Sequence, residues 1–400
     1  MCSVLAEPHT RGKEKTSEIG MAETTDLLVI GAGVFGLWTA RAAARAGMRV
    51  ILAEADIPGA GASGGLVGAL TPHQPDRWRP FKQFQFDGLV TLGARAAELA
   101  AETGIDPGHA RCGRITPLVD ERSRERALAH SRAAREVWSG AAEFEVLDSV
   151  PQGAQGLIAP EAAPFGVVRD TLSGRIGPRA LVEALAHSVS RMAQIRSGWR
   201  LRSLAARDGV ARFDRGDISA GHVVLAAGWG CLDFLPASCL PEDGRSGPGV
   251  KGQAALLAAR ADPGAPVIQA NGIYIVPHAD GRIAVGSTSE KTWRADGPDA
   301  RLDALVETAA SLAPALRGAE VVERWAGIRP RAPGREPLVG PLPGAPRLVL
   351  ATGGYKIGFS IAHLVGDAVC TMIAGHGRPS GLPDSFTPEA HGLRAEERRI

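Results

Sequence analysis

The sequence predicts two interleaved units, a Rossmann-type α/β dinucleotide-binding unit and an α+β unit built on a mostly antiparallel sheet. Three observations carry this. A short apolar run at 27–30 leads into Gly31-Ala32-Gly33-Val34-Phe35-Gly36 and an Ala-rich helical stretch. Between about 250 and 328, Pro and Gly punctuate short alternating apolar segments, the pattern of antiparallel strands. Near the end, a strand at 348–351 runs into a second glycine-rich turn and then an apolar helix, a further piece of the first unit.

Taken in order, residues 1–25 are polar and charged, lack the apolar core of a secretion signal, and are expected to be a disordered extension. The strand at 27–30 is followed by a helix that Gly47 ends, and by a second strand at 50–53 closed by Glu54. Residues 58–70 form a Gly- and Ala-rich loop, with helices expected at 89–103 and 123–138. Pro178 opens a helix to about Gln194, with Leu181, Leu185 and Val189 on one face. A hairpin at 199–204 and 210–213 precedes a buried strand at 223–227 that ends in Ala227 and Gly228. Strands follow at 254–258, 273–276 and 283–285, the last two joined at Asp280-Gly281. A helix at 301–312 and a strand at 321–328 lead into Arg329-Pro330, and beyond Gly377 the tail is Pro-rich and charged. The nucleotide unit is thus assigned to 26–80, 151–235 and 341–378. The substrate unit takes 81–150 and 236–340, and 379–400 is an irregular tail.

Composition excludes several classes. With 45 basic against 43 acidic residues, the charge balance gives no reason to expect nucleic acid or an anionic membrane as partner. No run of 18 uncharged apolar residues occurs, so no membrane span is expected. The five cysteines include no C-x-x-C pair, which argues against zinc or dithiol chemistry and suits a reducing cytoplasm. A homo-oligomer is compatible with the sequence, which does not specify one.

The first turn has a physical task. Gly31 permits the tight turn, Gly33 lets the backbone approach a pyrophosphate, and Gly36 lets the helix pack on the strand. The free N–H groups of the helix N-terminus suit the phosphates. Glu54, about 20 residues on, is placed to accept both ribose hydroxyls and disfavours a 2′-phosphate. Glycines at 59, 61 and 64 and at 247, 249 and 252 repeat the spacing, but neither set opens a helix, and both are read as loops. The motif alone does not separate NAD from FAD. Its place at the chain start, the lack of a second qualified fingerprint and the C-terminal glycine-rich strand–helix unit favour FAD.

Five ordered segments then resemble the D-amino acid oxidase superfamily of flavoproteins, the group containing glycine oxidase, sarcosine oxidase and D-amino acid dehydrogenase. They are the fingerprint with Glu54; Gly61-Ala62-Ser63-Gly64-Gly65; Ile273 to Pro277 with Gly286-Ser287-Thr288; Trp325 to Pro330; and Thr352-Gly353-Gly354-Tyr355-Lys356-Ile357-Gly358. The resemblance covers about 26–375. It implies FAD bound in extended form under a roofing sheet, with substrate between. It implies that Arg329 holds a substrate carboxylate, that Tyr274 stands over the flavin, and that Lys356 helps bind the carboxylate. Ser63 and Gly64 are then expected at the pyrophosphate or flavin, Leu201 at the adenine, and His73 near the flavin. Gly327 stands where some relatives carry a flavin-linking cysteine, so the FAD is expected to be non-covalent. Gly334-Arg335-Glu336 departs from the usual Asp-Gly segment, which leaves the loop beside Arg329 open.

The implied reaction is oxidation of the C–N bond of a small amino acid or N-methyl amino acid. Hydride passes to flavin N5 and the imine is then hydrolysed, with oxygen or another electron acceptor restoring the cofactor. Three alternatives stay open: a tRNA-modifying flavoenzyme acting on a carboxymethylamino group, a flavin-binding subunit without its own substrate site, and an NAD-dependent dehydrogenase. The amine, its stereochemistry and the acceptor are not legible.

Overall fold

The computed structural model describes residues 22–243 and 247–396. Most of the expected N-terminal extension lies outside the described residues, but residues 23–25 already belong to the first strand.

The chain opens with β1 (Glu23–Ile30), α1 (Val34–Arg45) and β2 (Val50–Ala53). A glycine-rich loop carrying β3 (Ala69–Leu70) leads to α2 (Pro80–Thr103), β4 (Arg114–Pro117), α3 (Glu121–Val137) and β5 (Phe144–Leu147). Then come β6 (Val167–Asp170), β7 (Gly174–Arg175), α4 (Pro178–Ser190) and β8 (Gln194–Arg196). A meander follows, of β9 (Leu201–Ala205), β10 (Val210–Phe213) and β11 (Gly216–Leu225). Next are β12 (Val250–Arg260), β13 (Val267–Ala270), β14 (Ile273–Pro277) and β15 (Arg282–Gly286). The chain closes with α5 (Ala300–Leu312), β16 (Val321–Arg329), β17 (Leu338–Leu342), β18 (Ala345–Thr352) and α6 (Gly358–Ile373).

The first sheet runs β17-β18-β11-β1-β2-β8, parallel throughout except for β17, with β9 and β10 extending from β11. β1 is apolar without alternation because both its faces are buried. Leu27 and Val29 pack towards the helices, while Leu28 and Ile30 pack towards the meander side. From β1 the chain moves to β2 and β8 on one side, then returns to β11 and β18 on the other. The order therefore reverses at β1, and the crevice of such a sheet opens at that strand's C-terminal end, where Gly31 lies. Behind the sheet α1 and α6 meet backbone to backbone. A Cβ on Gly366 would stand 2.8 Å from the carbonyl carbon of Trp38.

The second sheet runs β16-β12-β15-β14-β13-β4-β6-β5, antiparallel except for β13 beside β4. Two elements cross the boundaries read from the sequence. β6 falls within 151–235 yet joins this sheet between β4 and β5. α2 falls within 81–150 yet buries Phe81, Phe84, Leu92 and Leu99 in the core shared with α1, α4 and α6. Periodicity shows that a helix has an apolar face, not which neighbour covers it. α2 also starts at Pro80 rather than 89, proline being pre-organised for the first helical turn. The loop read at 247–252 becomes strand from Val250, so Gly252 lies inside β12 opposite Gly327. Among the described residues, no helix is long and apolar enough to cross a membrane.

The tail lacks long elements but is packed. Phe386 is buried edge-on against Phe84, with ring centroids 5.4 Å apart. His391 Nδ1 accepts the Gly334 N–H at 2.9 Å, and Glu336 accepts Ser385 Oγ at 2.5 Å. The tail thus pins the loop that follows Arg329.

One core histidine makes the fold sensitive to acid. His363 on α6 is 1 % exposed, with Nε2 2.8 Å from Thr91 Oγ1 of α2. Burial, aided by Arg95, pushes its pKa from 6.5 down to about 3. The folded state therefore holds the neutral ring while the unfolded chain still takes up a proton. This contribution is complete above about 6.5 and is lost as the pH falls from there towards 3, at roughly 1.4 kcal/mol per pH unit. His363→Gln is expected to flatten the acid limb of a stability–pH curve by about one proton. An unchanged slope between these limits would show that the ring is not held neutral.

Candidate active site

A cavity of about 590 Å3 runs along the C-terminal edge of the first sheet and under the second, within the usual size range of ligand sites. At one end Gly31 has φ +103°, and a Cβ there would lie 2.5 Å from the Ala226 carbonyl oxygen. Only glycine makes this turn. Glu54 lines the cavity and is locked to the turn, Oε2 accepting Ala32 N–H at 2.7 Å and Oε1 accepting Asp56 N–H at 3.1 Å. α1 starts at Val34 with Gly33 as its cap, so no side chain of the capping residue covers the helix end. Ser63 Oγ accepts the Val34 N–H at 3.0 Å and so brings the second glycine loop against the first turn.

Most of the residues singled out in the sequence meet here. Gly31, Gly33, Val34, Phe35, Glu54 and Ser63 line the first stretch. Leu201, Ala227 and Gly228 line the next, with Thr352 Oγ1 donating to the Gly228 carbonyl at 2.7 Å. Gly354, Tyr355, Lys356, Ile357 and Gly358 form the wall at the start of α6. Tyr355 has φ +42°, an uncommon region for a bulky residue, and its N–H bonds the Pro330 carbonyl at 3.0 Å. That bond ties the wall to the segment carrying Arg329. Lys356 is exposed, its Nζ 5.7 Å from the Tyr355 ring centroid.

Gly36, Gly64 and Gly353 are not on the wall; each is small because protein backbone or a side chain approaches it. A Cβ would lie 1.8 Å from the Gly31 oxygen at Gly36, 2.4 Å from the Gly59 oxygen at Gly64, and 2.8 Å from Ala332 Cβ at Gly353. His73 does line the cavity. Its backbone N–H donates to Gln85 Oε1 at 2.9 Å, its Nδ1 contacts the same oxygen, and burial lowers its pKa, so the ring stands neutral.

The roof supplies the charge. Arg329 ends β16, with Nη1 donating to the Thr288 carbonyl at 3.1 Å and Nη2 to Ser287 Oγ at 2.5 Å. Both partners are neutral, and no carboxylate of the described residues lies within ion-pair distance. The neighbouring acids are engaged elsewhere: Glu323 with Arg179 at 2.6 Å, Glu290 with Arg301 at 2.8 Å, and Glu336 with Ser385. Burial pulls the Arg329 pKa down, yet a guanidinium keeps its proton. The result is a half-buried cation at the cavity wall, without a counter-ion among the described residues.

Three features escaped the sequence reading. A Cβ on Gly252 would stand 2.0 Å from Arg329 Nη2, so the guanidinium lies on that glycine's bare backbone. Gly65 and Gly327 likewise make room for the Trp325 indole, at 3.2 and 2.4 Å from their would-be Cβ atoms. Ser287 and Thr71 also line the cavity. A glycine reads in sequence as backbone freedom; that it leaves space for a particular side chain appears only once the strands are paired. Gly252→Ala is expected to lift the guanidinium and raise the KM for a carboxylate substrate about tenfold to a hundredfold, with flavin content retained. An unchanged KM would show that the guanidinium position is not set by this contact.

A cavity at the switch point of a parallel sheet, with an acid-closed glycine turn and an antiparallel roof, defines a dinucleotide-dependent oxidoreductase of two interleaved units. The chain matches the family described as DAO, FAD dependent oxidoreductase, over residues 26–372, and belongs to it. It is 33% identical to the glycine oxidase of Pseudomonas aeruginosa over 87% of this chain and 93% of that one. With the glycine oxidase of Pseudomonas putida it shares 30% identity over 91% and 98%. The crystal structure of glycine oxidase from Geobacillus kaustophilus superposes with a TM-score of 0.80 at 25% identity, covering 92% of this chain and 98% of that one. The cofactor of this chain is accordingly FAD, and the NAD alternative falls. The residues present fit it: two glycines of the turn, the glycine-capped start of α1 with Ser63 beside it, and the Glu54 carboxylate all line one cavity.

Proposed function

We propose that this protein oxidises the C–N bond of a small amino acid or its N-substituted form, with FAD held non-covalently. The observation that carries the reading is Arg329, a half-buried guanidinium that meets only neutral oxygens at the cavity wall. Such a group binds a carboxylate bidentately, and its planar fork sets the orientation of what it holds. Bound FAD supplies the acceptor for a hydride from the carbon beside the nitrogen. Arg329 positions that carbon, and much of the expected acceleration is positioning. Tyr274 and Lys356 stand on the same cavity and are assigned to the carboxylate as well. The N–H groups at the start of α6, around Gly358, offer a positive end to negative charge developing on the ligand side. Ser63 at the pyrophosphate and Leu201 at the adenine complete the assignment. An amine bound in its neutral form needs no side-chain base. Non-covalent attachment rests on Gly327, which stands where some relatives of the resembled superfamily carry a flavin-linking cysteine.

The test is a visible spectrum recorded without oxygen during addition of glycine, sarcosine, proline or D-amino acids. Loss of the flavin absorbance with at least one of them is expected; bleaching by none would overturn the small-amino-acid reading.

A further inference from the structure

We propose that Gln269 is a positioning residue that points the Tyr274 hydroxyl proton at the substrate carboxylate, as the end of a buried polar chain through Arg114 and Asp170. The proposal rests on the reading of Arg329 and Tyr274 as a carboxylate site.

The chain crosses neighbouring strands of the roof. Asp170 on β6 is fully buried, its Oδ1 accepting the Ser173 N–H at 2.7 Å. Its Oδ2 lies 2.7 Å from Nε of Arg114 on β4, itself 3 % exposed. Arg114 Nη1 then donates to Gln269 Oε1 at 2.6 Å. Gln269 on β13 sits opposite Tyr274 on β14, with Nε2 3.0 Å from the phenolic oxygen.

The Arg114–Asp170 contact is an ion pair, and each of the two hydrogen bonds beyond it has only one possible direction. A guanidinium has no acceptor, so Gln269 must present its carbonyl oxygen to Arg114. That leaves the amide nitrogen, a donor only, facing Tyr274. Tyr274 therefore accepts from Gln269, and its own proton must go elsewhere. Thr71 Oγ1 is the protein alternative, but at 3.3 Å it is longer than a good O–H···O bond. A carboxylate outcompetes it, because charge-assisted hydrogen bonds are about twice as strong as neutral ones. Without the wiring, the hydroxyl could turn a lone pair to the same carboxylate and repel it.

The experiment uses the holoenzyme, with acetate as a carboxylate probe followed by the flavin spectrum, and glycine as substrate. Gln269→Glu keeps the size and the partner for Arg114, but its second oxygen can only accept and so takes the Tyr274 proton. Acetate Kd and glycine KM are expected to rise about tenfold to a hundredfold, with kcat moved less than KM. Gln269→Met, which removes the donor without adding an acceptor, should give a smaller rise. Tyr274→Phe should weaken acetate by a similar factor to Gln269→Glu. Adding Gln269→Glu to Tyr274→Phe should then change the Kd by less than about twofold. An unchanged Kd in Gln269→Glu, or a full further loss on the Tyr274→Phe background, would overturn the proposal. A wild-type enzyme indifferent to both acetate and glycine would instead remove the carboxylate reading on which it stands.

Discussion

Arg329→Ala is expected to raise the KM for a small amino acid about a hundredfold or more, a loss of roughly 3 kcal/mol, while the protein still purifies with its flavin. The guanidinium is a half-buried cation on the cavity wall, and its two bonds go to neutral oxygens that water can satisfy once it is gone. Removing a half-buried charge that has no ion-pair partner costs the fold little and can stabilise it. Thermal stability should therefore hold or rise as substrate affinity collapses, which separates a binding role from a structural one. Arg329→Lys should recover part of the loss, since it restores charge but not the two-pronged geometry. Substrate affinity equal to wild type in the alanine variant, measured by anaerobic titration, would place the carboxylate elsewhere.

Gly36→Ala is expected to yield protein that is largely flavin-free and less stable by about 3 kcal/mol or more. The added methyl would sit 1.8 Å from the Gly31 carbonyl oxygen and 3.4 Å from Ala226 Cβ. Neither the turn nor the helix can yield cheaply. Gly31 is held by its N–H bond to the Ala53 carbonyl at 2.8 Å and by a φ of +103° that only glycine tolerates. Lifting α1 from β1 would also break its contact with α6. Flavin content from the visible spectrum, with a melting curve, is the measurement; full flavin occupancy at wild-type stability would show that the turn is looser than its geometry implies.

The parts of this protein legible in the sequence are those whose partners lie close along the chain. The turn at Gly31, the helix behind it and Glu54 form one unit in which the acid bonds a backbone N–H only 22 residues away. Its identity as a dinucleotide site followed from glycine spacing and the acid alone. The amphipathic face of α4 and the unbroken apolar run of β1 were equally local. The roof was less legible. Short strands such as β4, β6 and β13 carry few residues in which alternation can show. The assignments of Arg329, Tyr274 and Lys356 came through family resemblance, because nothing near those residues in sequence shows what they face.

The amino-acid sequence by itself determined the nucleotide-binding turn, the two kinds of sheet and the residue types available to hold a carboxylate, since these depend on periodicity and backbone freedom within short segments. Only the tertiary structure decided that Gly252 seats the guanidinium, that Ser287 and Thr288 hold it without neutralising it, and that Gln269 connects Arg114 to Tyr274. Those relations are set by strand register between segments far apart in the chain, where no local pattern records which side chain lies opposite.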